Sequence, residues 1–282
     1  MTEMQEIAGL GEVADRYDLL LFDQYGVLHD GTRLYNGTIE ALSRLAEGGR
    51  RSVIVTNSGK RAAANRNRLL RLGLDRALFL DVVSSGEVAW RSIAAGTLGE
   101  PFRPGARVHI VGRAGDDYAF DDLALLNVGA RELPEFILML GSNAPATSLG
   151  EYARLLAPAA ERRVPALCGN PDRLMLTAHG LASAPGAIAA RYESKGGPVR
   201  WIGKPFPEVY RAVLDLAGNP APARVLAIGD SIEHDIAGAA AMGFATALVR
   251  SGLSADLSND EIIRLAKSAM ATPDWCLKEL CW

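Results

Sequence analysis

Four short stretches of this 282-residue chain carry groups that could act together. The apolar run "LLLF" delivers Asp23, followed by Gln24, Tyr25 and Gly26, and "SVIV" delivers Thr56, Asn57 and Ser58. "IGKP" presents Lys204, and "VLAIG" delivers Asp230, with Asp235 five residues further on. Two carboxylates held close together repel, and one is forced to keep a proton unless a cation joins them. Mg²⁺ removes that conflict. It prefers about six oxygens, keeps several waters, and commonly takes one or two carboxylates plus phosphate oxygens. Asp23 and Asp230 are therefore candidate metal carboxylates, with Asp235 holding metal waters from behind. Thr56, Asn57 and the turn through Ser58 offer donors to a phosphate. Lys204 is a point charge on a flexible stem, suited to a phosphate or to a nucleophilic carboxylate. Each residue alone also has a plain structural reading. An Asp after a strand caps a helix, Thr-Asn-Ser makes a turn, and a lone lysine lies on the surface. The signal is the order in which they occur.

Such groups need a frame that brings them to one place. Short apolar runs rich in Val, Ile and Leu recur at 18–23, 51–57, 106–112, 135–141, 164–170, 199–203, 224–230 and 245–252. Continuous rather than alternating apolarity is what a strand buried on both faces requires. Helical patterns lie between them at 37–49, 61–73, 207–218 and 234–243. Strand alternating with helix predicts a parallel α/β sheet, and ligands bind such sheets beyond the carboxyl ends of the strands. Asp23, Thr56 and Asp230 all fall at strand ends of that kind. A composition break near 84–106 and a linker-like stretch at 192–201 mark the middle of the chain as an inserted domain.

Composition narrows the function classes. Apolar residues make up 49 % and charged residues 22 %, enough apolar mass for a real core. A net charge of −3 supplies no basic face, so neither nucleic acid nor anionic membrane is an expected partner. Three cysteines, Cys168, Cys276 and Cys281, form no CxxC pair and suit a reducing cytoplasm. The N-terminal stretch is polar and acidic, unlike a signal peptide, and no apolar run approaches the ~18 residues of a membrane span. The four histidines, His29, His109, His179 and His234, show no pairing and read as non-ligands.

The ordered set "FDQYGVLHDG", "VTNSG", "GKP" and "GDSIEHD" resembles the four motifs of the haloacid dehalogenase superfamily. "SSGEVAW", "VHIVGRAG", "LCGNPDRL" and the tail "TPDWCLKEL" resemble landmarks of its class IIA branch of sugar-phosphate and nitrophenyl phosphatases. The resemblance implies an α/β fold with a Rossmann-like parallel-sheet core, residues 1–84 and 199–282, and an inserted α/β cap of type IIA, residues 85–198. It implies Mg²⁺-dependent hydrolysis of a small phosphorylated metabolite. Asp23 would be the nucleophile that forms an aspartyl-phosphate. Asp23, the Tyr25 backbone carbonyl and Asp230 would hold the metal, with Asp235 behind them. Thr56, the Asn57 amide and Ser58 would bind phosphate oxygens, and Lys204 would offset charge. Asn170 and Asp172 of the cap would face the leaving group. Caps of this kind mediate dimers in many of the relatives it resembles, which makes a homodimer one expected assembly.

One position departs from the pattern. Most phosphatases of the superfamily carry a second Asp two residues after the nucleophile, and it protonates the leaving group and later activates water. Here that residue is Tyr25. A tyrosine can donate a proton but is a poor base at neutral pH, and general acid–base help is worth about 10²–10⁴-fold. Asp172, Tyr25 itself or a water held by Asp235 could substitute, or the substrate could have a leaving group that needs no acid. Haloacid dehalogenases have a similar Asp-x-Tyr motif, so carbon–halogen hydrolysis is the competing expectation. Those enzymes need no metal, lack an acidic fourth motif such as "GDSIEHD", and have a helical cap. A catalytically weak phosphate- and metal-binding relative is the third.

Overall fold

The computed structural model describes residues 4–177 and 180–282. The apolar runs form strands: β1 (Gln5–Glu6), β2 (Leu19–Asp23), β3 (Arg51–Thr56), β4 (Val82–Ser84), β5 (Arg107–Val111), β6 (Leu126–Asn127) and β7 (Phe136–Met139). Further along lie β8 (Ala166–Cys168), β9 (Leu174–Thr177), β10 (Gly180–Ser183), β11 (Val199–Trp201), β12 (Val225–Gly229), β13 (Ala245–Val249) and β14 (Trp275–Leu277). The chain divides into two compact units. One is Met1–Thr56, Ala63–Val83 and Lys204–Trp282; the other is Asn57–Ala62 and Ser84–Gly203.

The first unit is built on a seven-stranded sheet in the order β1-β14-β13-β12-β2-β3-β4. β12, β2 and β3 run parallel, with Ile228 opposite Phe22 and Asp23 opposite Val55. Leu20, Phe22, Ile54, Leu226 and Ile228 are fully buried or nearly so, which explains their unbroken apolar sequence. Helix α1 (Thr38–Glu47) adds Ala41, Leu42 and Leu45 to the same core from one face. Helix α2 (Ala62–Arg71) buries Leu69 there.

The second unit has its own parallel sheet, β11-β8-β7-β5-β6, and a separate antiparallel pair, β9 and β10. It contains α3 (Ser85–Ala94), α4 (Leu149–Glu161) and α5 (Pro185–Glu193). Ser148 and Glu151 close a reciprocal capping box at the start of α4. Ile137, Met139, Leu156, Ile188 and Tyr192 share its core.

Two expectations need correction. Residues 192–201, expected as a linker, hold the end of α5 and strand β11, and Gly196 and Gly197 form only the turn between them. The helix expected over 234–243 begins as a π-turn, Ile232–Ile236, and continues as α7 (Ala237–Ala241). The first unit is completed by α6 (Pro207–Leu216), preceding that turn in the chain, and α8 (Asn259–Ala269). Proline opens α6 and left-handed Gly218 follows its end. Among the described residues no helix is long and apolar enough to cross a membrane.

Leu20→Ala empties a fully buried position in β2. It is expected to cost about 2–5 kcal/mol. The urea midpoint should fall with little change in the slope. The exposed Leu216→Ala serves as control; equal small shifts in both variants would contradict this placement.

Candidate active site

Parallel pairing puts the carboxyl ends of β2, β3 and β12 on one rim, so Asp23, Thr56 and Asp230 emerge together. Lys204 precedes α6 and is 4 % exposed. Its ammonium donates to Asp23 Oδ1, to Asp235 Oδ1 at 2.6 Å and to the Val55 carbonyl at 3.3 Å. Asp23, Asp230 and Asp235 each offer an oxygen within 4.8 Å of the others.

The π-turn fixes Asp235. Ser231 caps it by accepting from the His234 amide, and the Ser231 amide donates to Asp235 Oδ2 at 3.1 Å. One carboxylate oxygen thus faces the backbone and the other faces Lys204. A π-turn is a rare device found mostly at functional sites. Gly229 makes room for it, since a Cβ there would overlap the Asp235 carboxylate. Asp230 is braced by a loop after β13. Its Oδ2 accepts from the Leu253 amide at 2.7 Å and its carbonyl accepts from Ser254 Oγ at 2.5 Å. In the same loop Ser251 Oγ donates to the Gly26 carbonyl at 2.5 Å.

Charge is out of balance at this rim. Burial opposes the charge on Lys204, but Asp23 and Asp235 outweigh it and raise its pKa well above the ordinary lysine value. Burial raises the Asp230 pKa well above the carboxylate range, and the charges of Asp23 and Asp235 raise it further. Three acidic groups share one ammonium. The donors here are hard carboxylate oxygens with no thiolate or imidazole among them, which fits an oxygen-loving divalent cation. The Tyr25 carbonyl is a compatible further donor. The Tyr25–His29 bridge uses the Gly26 amide and the Gln24 carbonyl and does not use that of Tyr25.

The Tyr25 side chain turns elsewhere. Its ring meets the His29 ring edge-to-face with centroids 5.4 Å apart and lies against Gly31, whose φ of +99° and missing Cβ allow the approach. Burial raises the Tyr25 pKa, with a contribution from Asp30. His29 is fully buried, and its Nδ1 accepts from the Gly31 amide at 2.8 Å. Burial, aided by Arg68, lowers its pKa to about 4, so it is neutral at pH 7. Asp30 Oδ1 accepts from the Thr32 amide and hydroxyl and the Arg33 amide, which hold its pKa below the usual carboxylate range.

Asn57, Ser58, Asn170 and Asp172 belong to the second unit and interact there. Asn57 Nδ2 donates to Asp172 Oδ1 at 2.7 Å, and Ser85 Oγ donates to Asn57 Oδ1 at 3.2 Å. Asn170 Oδ1 accepts from the Asp172 amide, and the Ser58 carbonyl accepts from the Gly86 amide. The Asn-Pro-Asp loop is thereby tied to Asn57 within the second unit. Sequence reasoning missed Ser85, the 251–254 loop and the Lys204–Asp235 pair. The "RSGLS" that follows β13 at 250–254 was the available signal for the loop. Of the four histidines, His179 lies outside the described residues.

Comparison with known proteins agrees with this geometry. Residues 20–125 match a family of haloacid dehalogenase-like hydrolases, and residues 201–281 match a second family of the same hydrolase type. Chronophin from Rattus norvegicus is 29 % identical over 261 residues, covering 88 % of this chain and 81 % of its own. A haloacid dehalogenase-like hydrolase from Brucella suis superposes with a TM-score of 0.83 at 28 % identity, covering 97 % of this chain and 99 % of its own. Glycerol phosphate phosphatase from Mycobacterium tuberculosis, in complex with magnesium, gives a TM-score of 0.70 at 25 % identity over 93 % of this chain and 75 % of that one. The chain belongs to the haloacid dehalogenase-like hydrolases.

The raised Asp230 pKa carries a stability cost in the metal-free protein. The folded state keeps a proton that the unfolded state, with a carboxyl pKa near 3.8, releases. Stability therefore falls as pH rises from that value towards the folded pKa. Asp230→Asn is expected to raise the midpoint of denaturation in EDTA at pH 7 and to flatten this fall. A lower midpoint in the variant, or an unchanged pH slope, would contradict it.

Proposed function

We propose that this chain is a Mg²⁺-dependent phosphatase that hydrolyses a small phosphate ester through Asp23. The observation that carries the reading is the buried Lys204 ammonium shared by Asp23 and Asp235 beside Asp230. Asp23 attacks phosphorus as the bond to the ester oxygen breaks, giving an aspartyl-phosphate and the released alcohol; water then attacks phosphorus as the bond to Asp23 breaks, releasing inorganic phosphate and restoring the carboxylate. Lys204 orients Asp23 and offsets charge as the phosphoryl group approaches. Thr56, the Asn57 amide and Ser58 supply donors to phosphate oxygens. Asp23, Asp230 and the Tyr25 carbonyl would hold Mg²⁺, with Asp235 behind them. When bound, the ion neutralises phosphoryl charge, the largest need in phosphoryl transfer. Asn170 and Asp172 contribute to the recognition of the leaving group.

The substrate class is a small phosphorylated metabolite, in keeping with the glycerol phosphate phosphatase among the similar structures. The reading includes a cytoplasmic location, which suits the free thiols Cys168, Cys276 and Cys281, and a homodimer as the assembly to test. Tyr25 favours one second reading, carbon–halogen hydrolysis, because halide departs without a proton. That reaction needs no metal, so the gathering of Asp230 and Asp235 beside Asp23 weighs against it.

p-Nitrophenyl phosphate tests both readings. Nitrophenolate release is expected with Mg²⁺, is expected to stop in EDTA, and should fall at least 10³-fold in Asp23→Asn. Halide release from a 2-haloacid without metal, with no ester cleaved, would replace this reading with the second.

A further inference from the structure

The first unit holds a cleft of about 360 Å³ that the chemistry assigned to Asp23 does not use. Small-molecule sites have volumes of this order. Its floor is apolar: Val27 and Leu280 are buried, and Leu34 is half-buried. Arg33, Arg250 and Lys278 line it from three separate segments, against one carboxylate, Glu279. In a chain of net charge −3, that is a local reversal of sign. Arg33 pairs with Asp30 at an exposed position. Arg250 is held by neutral acceptors, Asn259 Oδ1 at 2.8 Å and the Leu257 carbonyl at 2.5 Å, which leave its charge in place. Lys278 is exposed.

One wall of the cleft is the loop that braces Asp230. Ser251 and Gly252 line it. Gly252 has a φ of +52°, and a Cβ there would overlap Asp230 Oδ2. A single backbone thickness thus separates the cleft from that carboxylate. The next two residues hold Asp230 directly, through the Leu253 amide and Ser254 Oγ.

We infer that this cleft binds a small organic phosphate as a second site, its dianionic head among Arg33, Arg250 and Lys278 and its body on Val27, Leu34 and Leu280. Guanidinium forks match phosphate oxygens in pairs, and an ammonium adds a point charge. The site stands on the cleft alone; its coupling to Asp230 rests on the phosphatase reading above. Without a cation, Asp23, Asp230 and Asp235 repel an anion held behind Gly252. A divalent ion at those carboxylates offsets the repulsion. By linkage, the ion and the organic phosphate each tighten the other's binding. A phosphorylated metabolite would then activate the protein when the metal is scarce.

The probe is 8-anilinonaphthalene-1-sulfonate, an anion with an apolar body, and its fluorescence is followed on titration into the full chain, once in EDTA and once in Mg²⁺. A saturable site is expected. Lys278→Glu alters an exposed position and should weaken the site about tenfold or more. If that variant fails to fold, Arg33→Glu takes its place. Unchanged binding in the folded variant would overturn the site. Hexylphosphonate should displace the probe at about a tenth of the concentration that hexanoate needs. Equal or better displacement by hexanoate would overturn the phosphate assignment. Mg²⁺ should tighten the probe about fivefold or more. Equal affinity with and without Mg²⁺, in protein that binds the ion, would overturn the coupling. No divalent-ion binding at all would bring down the phosphatase reading and the coupling with it, while the titration in EDTA still decides the site.

Discussion

One buried ammonium sets the terms for the rest of the site. Lys204 lies between Asp23 and Asp235, with Asp230 close by, so three acidic side chains share a single positive charge. Two unit charges at such spacing interact by about 4 kcal/mol even at an effective dielectric near 20. With every carboxylate ionised, one ammonium leaves two negative charges unanswered. The protein meets this in one of two ways: it protonates Asp230, or it takes up a divalent cation. The raised Asp230 pKa is the first of these, and the all-oxygen donor set prepares the second.

The fold serves this arrangement by bringing distant segments to one rim. β2 and β12 are neighbours although about two hundred residues separate them, and the second unit occupies most of the interval. Their parallel register decides that Asp23 and Asp230 emerge at the same end. Local devices then fix each side chain. The π-turn aims Asp235 at Lys204, and Gly229 leaves room for its carboxylate. The 251–254 loop holds Asp230 by its carboxylate and its carbonyl. The Tyr25 ring turns to His29.

The strands were legible because burial on both faces demands unbroken apolar runs, and "LLLF" and "VLAIG" have them. The meeting of Asp23 and Asp230 was legible because each follows such a run and parallel strands end on one rim. What failed to show was anything set by hydrogen bonding at a distance. Nothing in the Asp235 motif pointed to its ion pair with Lys204, a partner 31 residues away. The π-turn was invisible because its sequence, "IEHDI", has the apolar spacing of an ordinary helix. The tie between Asn57 and Asp172 spans 115 residues and leaves no local mark on either motif. Residues 192–201 misled because a Gly-Gly turn between helix and strand has the composition of a linker.

The charge deficit is the claim on which the site depends, and counting bound cations tests it most directly. Mn²⁺ titrated into metal-free protein and followed by the loss of its free-ion electron paramagnetic resonance signal should reveal one tight site per chain. Asp230→Asn should weaken that site at least 100-fold, because it removes a donor and one of the charges that call for the ion. No tight site in the wild type, or the same affinity in the variant, would contradict the account.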